Sequence, residues 1–143
     1  MIYSFEERFE IGGSKVVRDG DDVTLVGAGV TLHEALAAAE RLAGDFIQAR
    51  VIDLDSLKPV DTETLARAAS ETAEIVTAED HRPEGGLGEA VLAALAAQVP
   101  VRTLAVSAMP GSGSPQELLH SAGIDATAIE AAARKLVLAP THA

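Results

Sequence analysis

Glu74–Ala97, EIVTAEDHRPEGGLGEAVLAALAA, decides how the rest of the chain is read. A short β-branched run, Ile75-Val76-Thr77, meets an acidic turn, Glu79-Asp80-His81. A glycine-rich bend, Gly85-Gly86-Leu87-Gly88, then opens an apolar helix. In an open α/β sheet, a strand-to-helix crossing of this kind lies at the carboxyl edge, where such folds carry their functional loops.

The same unit recurs on both sides. Upstream, Val23 to Val26 reads as a buried strand with Gly27-Ala28-Gly29 as its exit turn. Thr31 with Glu34 three residues on matches a capping box, and Gly44 reads as that helix's stop. Ala49 to Leu54 is a second strand. Leu57-Lys58-Pro59 is a turn, and Asp61 or Thr62 caps a helix to about Ser70. Downstream of the Leu87–Gln98 helix, Val101 to Val106 is a further strand. A loop from Met109 to Ser114 follows, then Pro115 at a first helical position, with Ser114 and Glu117 as another capping box. Gly123 ends that helix, and Asp125 to Leu136 gives the last one. Lys15 to Arg18, turned by Asp19-Gly20, reads as a short edge strand. Residues 1–14 read as a lead-in or linker, and 15–143 as one domain. Alternating strands and helices imply parallel pairing through right-handed crossovers, hence a three-layer α/β/α sandwich.

Composition narrows the function classes. The 143 residues suit a single domain, which buries about 68–70% of its unfolded surface without help from a disulfide or metal. With no cysteine, thiol nucleophiles and thiolate metal sites are excluded. That composition suits a reducing cytoplasm. No run reads as a membrane span or a signal peptide. A formal net charge of -11 argues against nucleic-acid phosphates as partners. Only 3% of residues are aromatic, which leaves no base-stacking platform.

Each candidate site has a plainer alternative. Gly27-Ala28-Gly29 leaves a strand and enters a helix, as a dinucleotide fingerprint does, and Asp53 lies where a ribose-binding acid would sit. However, Leu32 stands where the third glycine belongs, so a tight turn feeding a helix is favoured. His81 beside Glu79 and Asp80 suggests an acid/base pair or metal ligands. His33, His120 and His142 are too scattered to converge with it, so a surface or interface histidine is the simpler reading. The Gly85–Gly88 bend presents backbone amides suited to an anion, or glycines suited to close approach at an interface. Ser112 lacks the Gly-x-Ser-x-Gly spacing of a hydrolase elbow. The Asp53/Asp55 pair reads as solvated or capping carboxylates. No catalytic, cofactor or metal residue is therefore assigned; His81, Gly85, Gly86 and Gly88 are expected at an interface.

Four segments together resemble a known family: VVRDGDDVTLVGAGVTLHEALAAAERL, ARVIDLDSLKPVDTETL, IVTAEDHRPEGGLGEAVLAAL and GSGSPQELLHSAGIDATAIEAAARKLV. In this order, from about Lys15 to Val137, they are similar to the C-terminal domain of transketolase. Deoxyxylulose-phosphate synthase and the β subunits of 2-oxo-acid dehydrogenases share the domain; His81 and the GSGSPQELL segment favour transketolase. The resemblance implies a five-stranded, mostly parallel sheet with one antiparallel edge strand. It implies a parent enzyme that moves a two-carbon ketol unit between sugar phosphates, using thiamine diphosphate and a divalent metal (Mg or Ca). Those cofactors would be held by separate diphosphate-binding and pyrimidine-binding domains, the partners of this one in a homodimer or larger assembly.

The chain has no GDG…N motif; Arg18-Asp19-Gly20-Asp21-Asp22 has the wrong order. It is expected to be inert alone and to act by interaction. Two competing readings are a nucleotide- or phosphate-binding regulatory module and a small enzyme built on His81. An apolar patch near the glycine-rich loops is a further expectation.

Overall fold

The computed structural model describes residues 2–72, 74–96 and 98–139. Its elements run β1 (Lys15–Arg18), β2 (Val23–Gly27), α1 (Val30–Gly44), β3 (Ala49–Asp53) and α2 (Thr62–Thr72). β4 (Ile75–Ala78), α3 (Leu87–Leu95), β5 (Val101–Leu104), α4 (Pro115–Ala122) and α5 (Ala126–Val137) follow. The sheet order is β1-β3-β2-β4-β5, with β1 antiparallel to β3 and every other pair parallel. The expected five-stranded sheet with one antiparallel edge strand is the sheet observed.

β2, β3 and β4 are buried at every residue. Both faces of the sheet are covered, so these strands carry continuous apolar runs instead of alternating with polar residues. Leu25, Val51 and Val76 pack with α1 and α5 on one face. Val26, Ile52 and Ile75 pack with Leu65 of α2 and Val91 and Leu95 of α3 on the other. Small side chains let two helices pack closely: Ala35, Ala38 and Ala39 of α1 are buried in the cluster that includes Ala132 and Ala133 of α5. Among the described residues, no helix is long and apolar enough to cross a membrane.

Several local expectations hold. Asp61 caps α2, its Oδ1 accepting from the Thr64 amide at 3.0 Å. Ser114 and Glu117 form the capping box of α4, with Pro115 at its start and Gly123 left-handed (φ 69°) at its end. Asp125, read as the first residue of the last helix, is the N-cap of α5 through the Ala128 amide.

Others need correction. Thr31 and Glu34 form no capping box: α1 starts at Val30 behind Gly29 (φ 57°), with no side-chain cap. Thr31 is spent on a longer tie, its Oγ1 accepting from the Ala28 amide and lying 2.8 Å from the Ala78 carbonyl oxygen to which it donates. Glu34 instead accepts from the Ala126 amide at 2.8 Å, capping α5 from 92 residues away. α1 does end at Gly44, as expected, although the left-handed residue that follows it is Phe46 (φ 64°). α3 stops at Leu95 with Ala96 left-handed, short of Gln98. β5 stops at Leu104, since the Val106 amide leaves the ladder for the His81 carbonyl.

The lead-in segment is fastened to the far side of the sheet. Tyr3 stacks edge-on against Phe9 at 5.0 Å, and Lys15 lies over both rings. The Tyr3 hydroxyl donates to Asp53 Oδ2 at 2.6 Å. Burial and then that hydrogen bond hold the Tyr3 phenol well above its ordinary pKa. Burial pushes the Asp53 carboxyl up; Tyr3 pulls it down and the neighbouring Asp55 charge adds to the rise. A carboxyl raised on folding contributes stability at low pH that is lost as the pH rises through its folded pKa. Asp53→Asn, which keeps an acceptor for Tyr3, is therefore expected to raise the melting temperature at pH 7. The gain should vanish below about pH 4, where an ordinary aspartate is itself protonated. A calorimetric pH series checks this.

Candidate functional site

The order of the sheet reverses at β2, which has β3 on one side and β4 on the other. The helix leaving β2 covers one face and the helix leaving β4 covers the opposite face, so their first turns diverge. A crevice opens between them at the carboxyl ends of the strands, the place where open α/β sheets bind ligands or partners. Here it has a volume of about 440 Å³, with Gly29, Val30, Asp55, Leu57, Asp80 and His81 in its lining. A second cavity of about 390 Å³ continues past Val30 and Asp80 to Met109, Pro110 and Leu118. The loops that follow β2, β4 and β5 line these two cavities together.

Glu79 organises the crevice. It is the first residue past β4 and only 5% exposed. Its carboxylate reaches across to the N-terminus of α3, where Oε2 accepts from the Leu87 amide at 2.7 Å and Oε1 from the Gly88 amide at 2.9 Å. The first amides of a helix lack intrahelical partners and carry partial positive charge, so a carboxylate there answers both needs. Glu89 closes the loop from the other side, accepting from the Gly85 amide at 2.8 Å.

The three glycines have separate causes. Gly85 is left-handed (φ 71°), a conformation a side chain resists. A Cβ at Gly86 would be driven into the Glu79 carboxylate. At Gly88 it would lie 3.0 Å from Thr103 Cγ2 and 3.1 Å from Glu79 Oε1. At the other wall, α1 does approach its strand closely, through Gly27 and without a third glycine: a Cβ there would lie 3.0 Å from the Leu32 amide nitrogen.

The expected interface residues divide into two kinds. His81 and Gly85 are exposed, whereas Gly86 and Gly88 are buried beneath the loop. His81 Nδ1 lies 2.7 Å from the Arg82 carbonyl oxygen, to which it donates, and 4.0 Å from Glu79 Oε2. A carbonyl oxygen only accepts, so this bond places a proton on Nδ1 of an otherwise exposed ring. Asp80 is exposed on the rim. Asp53 is buried beneath Tyr3 and is not free to hold a ribose. His33 is exposed on α1, and His120 pairs with Asp125 at 2.8 Å near α5, so neither joins His81. His142 lies outside the described residues. Ser112 is exposed in the Met109–Ser114 loop and Ser114 is a cap. Glu79, the residue with most influence on the site, was read only as one member of an acidic turn. Its signal was an acid at a strand end, eight residues before a Gly-Leu-Gly helix start.

Electrostatically the crevice is unsuited to an anion. The amides of α3 are already satisfied by Glu79, while Asp55 and Asp80 add negative charge to the lining. Val30 and Leu57 leave apolar surface there, and Met109 does so in the adjoining cavity.

Fold and rim together define an open α/β domain whose carboxyl-edge loops are capped from within and present a mixed apolar and acidic surface. The chain belongs to the family of transketolase C-terminal domains: the model described as "Transketolase, C-terminal domain" matches residues 12–129. It is 50% identical over 143 residues to "Transketolase-like protein 2" of Mus musculus, covering 96% of this chain and 23% of that protein. It is 51% identical over 142 residues to "Transketolase" of the same species, with the same two coverages. Among solved structures, "Split gene transketolase, inactive beta4 tetramer" superposes with a TM-score of 0.91 at 40% identity, covering 96% of this chain and 46% of that one. The chain thus spans about a quarter of the length of these curated relatives.

The crevice does not fit a diphosphate and its metal. Its helix amides are taken, and among the described residues no three His, Asp or Glu side chains converge to hold a metal ion. Gly86→Ala is expected to destabilise the fold by roughly 1–3 kcal/mol, by expelling Glu79 and leaving buried amides unpaired. In a Glu79→Ala background the same change should cost clearly less, because its main obstacle is gone. A double-mutant cycle in urea measures the difference; additive costs would show that the two residues do not meet.

Proposed function

We propose that this chain is the C-terminal unit of a transketolase-type enzyme and serves it as an interaction domain, the chemistry residing elsewhere in the assembly. The observation that carries this reading is the fate of Glu79. Among the described residues lining the crevice, Glu79 is the buried carboxylate, and it is committed to two backbone amides and not presented to a ligand. What the rim offers outward is His81, Gly85, Val30, Leu57 and Met109, a set suited to contact with another protein surface. Gly86 and Gly88 contribute by shaping the loop that presents His81.

In this reading the parent transfers a two-carbon ketol unit from a ketose phosphate to an aldose phosphate. Thiamine diphosphate, with Mg or Ca, supplies the carbanion chemistry and is bound by the diphosphate-binding and pyrimidine-binding domains. Residues 15–143 form the unit that docks on them through the carboxyl-edge rim, in a homodimer or larger assembly. The similar solved protein supports the division of labour, being described as a split-gene transketolase whose β4 tetramer is inactive. The acidic, cysteine-free composition suits work in the cytoplasm.

The test mixes the purified chain with a polypeptide carrying the two cofactor-binding domains and assays ketol transfer with thiamine diphosphate and Mg. The chain alone should give no turnover, and the mixture should give turnover together with co-elution in gel filtration. Val30→Asp should weaken co-elution by about tenfold or more, since it sets an unpaired charge in an apolar contact. Turnover by the chain alone, or saturable binding of thiamine diphosphate to it, would overturn the reading.

A further inference from the structure

The sheet ends in two edges that differ in protection. The β1 edge carries a register break between Val16 and Arg18, two basic residues and the fastened lead-in segment. These are devices by which proteins blunt an edge. The β5 edge has only a single basic residue, Arg102, and neither of the other two devices. VRTL contains no proline, lysine or register break, and Arg102 and Thr103 are exposed. The Pro100 and Leu104 carbonyls point inward, accepting from the Ile75 and Glu79 amides at 3.1 and 3.0 Å. Backbone groups alternate in direction along a strand, so Val101, Thr103 and Ala105 turn theirs to the open side. Among the described residues no strand lies there to receive them.

The flank of this edge is short of charge. The outer face of α3 presents Glu89, Leu92, Ala93 and Ala96, with Leu92 42% exposed. A groove of about 480 Å³ runs beside it, lined by Glu89, Leu92, Thr103, Ala105 and Ala122. Glu89 and Arg102 balance one another, on a chain whose net charge is -11. Two copies of so acidic a molecule meet with least repulsion where each is locally neutral.

We infer that β5 pairs with β5 of a second copy of this chain, antiparallel about a two-fold axis, and joins two five-stranded sheets into one of ten strands. The outward groups set the register: Thr103 lies opposite Thr103, and Val101 opposite Ala105. A closed two-fold contact requires this self-complementarity. Threonine pairs are favourable cross-strand neighbours, and each Arg102 faces the other copy's Leu104, so like charges are not opposed. The α3 helices then lie side by side and cover Leu92. This surface is separate from the carboxyl-edge rim, so its test is independent of any docking there.

The absence of native cysteine makes the test direct. Facing residues that share both ladder bonds have Cα atoms about 5.5 Å apart, within reach of a disulfide. Thr103→Cys is expected to oxidise to a covalent dimer in high yield, while Ser70→Cys, exposed on α2, stays monomeric under the same oxidant. In sedimentation equilibrium the unmodified chain should dimerise. Thr103→Pro removes only an outward amide and leaves the β4 ladder whole, so it should weaken that dimer by about tenfold or more. A strictly monomeric chain, equal cross-linking of both cysteine variants, or a dimer indifferent to a folded Thr103→Pro would each overturn the inference.

Discussion

Glu79 spans the gap between the end of β4 and the first turn of α3, and the carboxyl edge takes its shape from that one carboxylate. Two hydrogen bonds from backbone amides to a charged acceptor in a buried setting contribute more than neutral bonds do, on the order of 1.5–3 kcal/mol each against the alternative of leaving them unmade. The geometry tolerates little. Both oxygens are used, Gly86 has no room for a methyl group, and Gly88 sits between the same carboxylate and Thr103. With α3 held this way, the loop carrying His81, Arg82 and Gly85 is exposed along the wall of the crevice.

The opposite wall of the crevice is built by a different tie of similar reach. Thr31 Oγ1 bonds the Ala78 carbonyl, the last residue of the strand that precedes Glu79. The start of α1 and the end of β4 are therefore locked together, and Gly27 lets the α1 backbone approach its own strand. A fold family known for placing ligands at such a crevice here fills the anion position with its own side chain. That arrangement supports the proposed role of the domain as an interaction unit.

Most of the architecture was legible in the sequence, because parallel strands buried on both faces read as apolar runs and the helices between them carry local signals. Asp61, the Ser114–Glu117 pair and Gly123 act within a few residues of themselves and match their sequence reading, while Asp125, read as the first residue of the last helix, is its N-cap. The misreadings share a cause in distance. Thr31 and Glu34 have capping-box spacing, yet their partners are Ala78 and Ala126, which no local pattern indicates. Asp53, read with Asp55 as a solvated or capping carboxylate, is buried because Tyr3, 50 residues away, covers it. The Gly-Gly-Leu-Gly bend was recognised as a helix entrance, but an amide cradle that is empty and one that is filled have the same sequence.

Amide hydrogen exchange at the two helix starts tests the central claim most directly. Leu87 and Gly88 lie in the first turn of α3, as Val30 and Thr31 do in α1, which has no side-chain cap. Capping by Glu79 predicts that the Leu87 and Gly88 amides exchange far more slowly than those of Val30 and Thr31, and that Glu79→Ala erases the difference. Equal, rapid exchange at all four positions in the unmodified protein would contradict it.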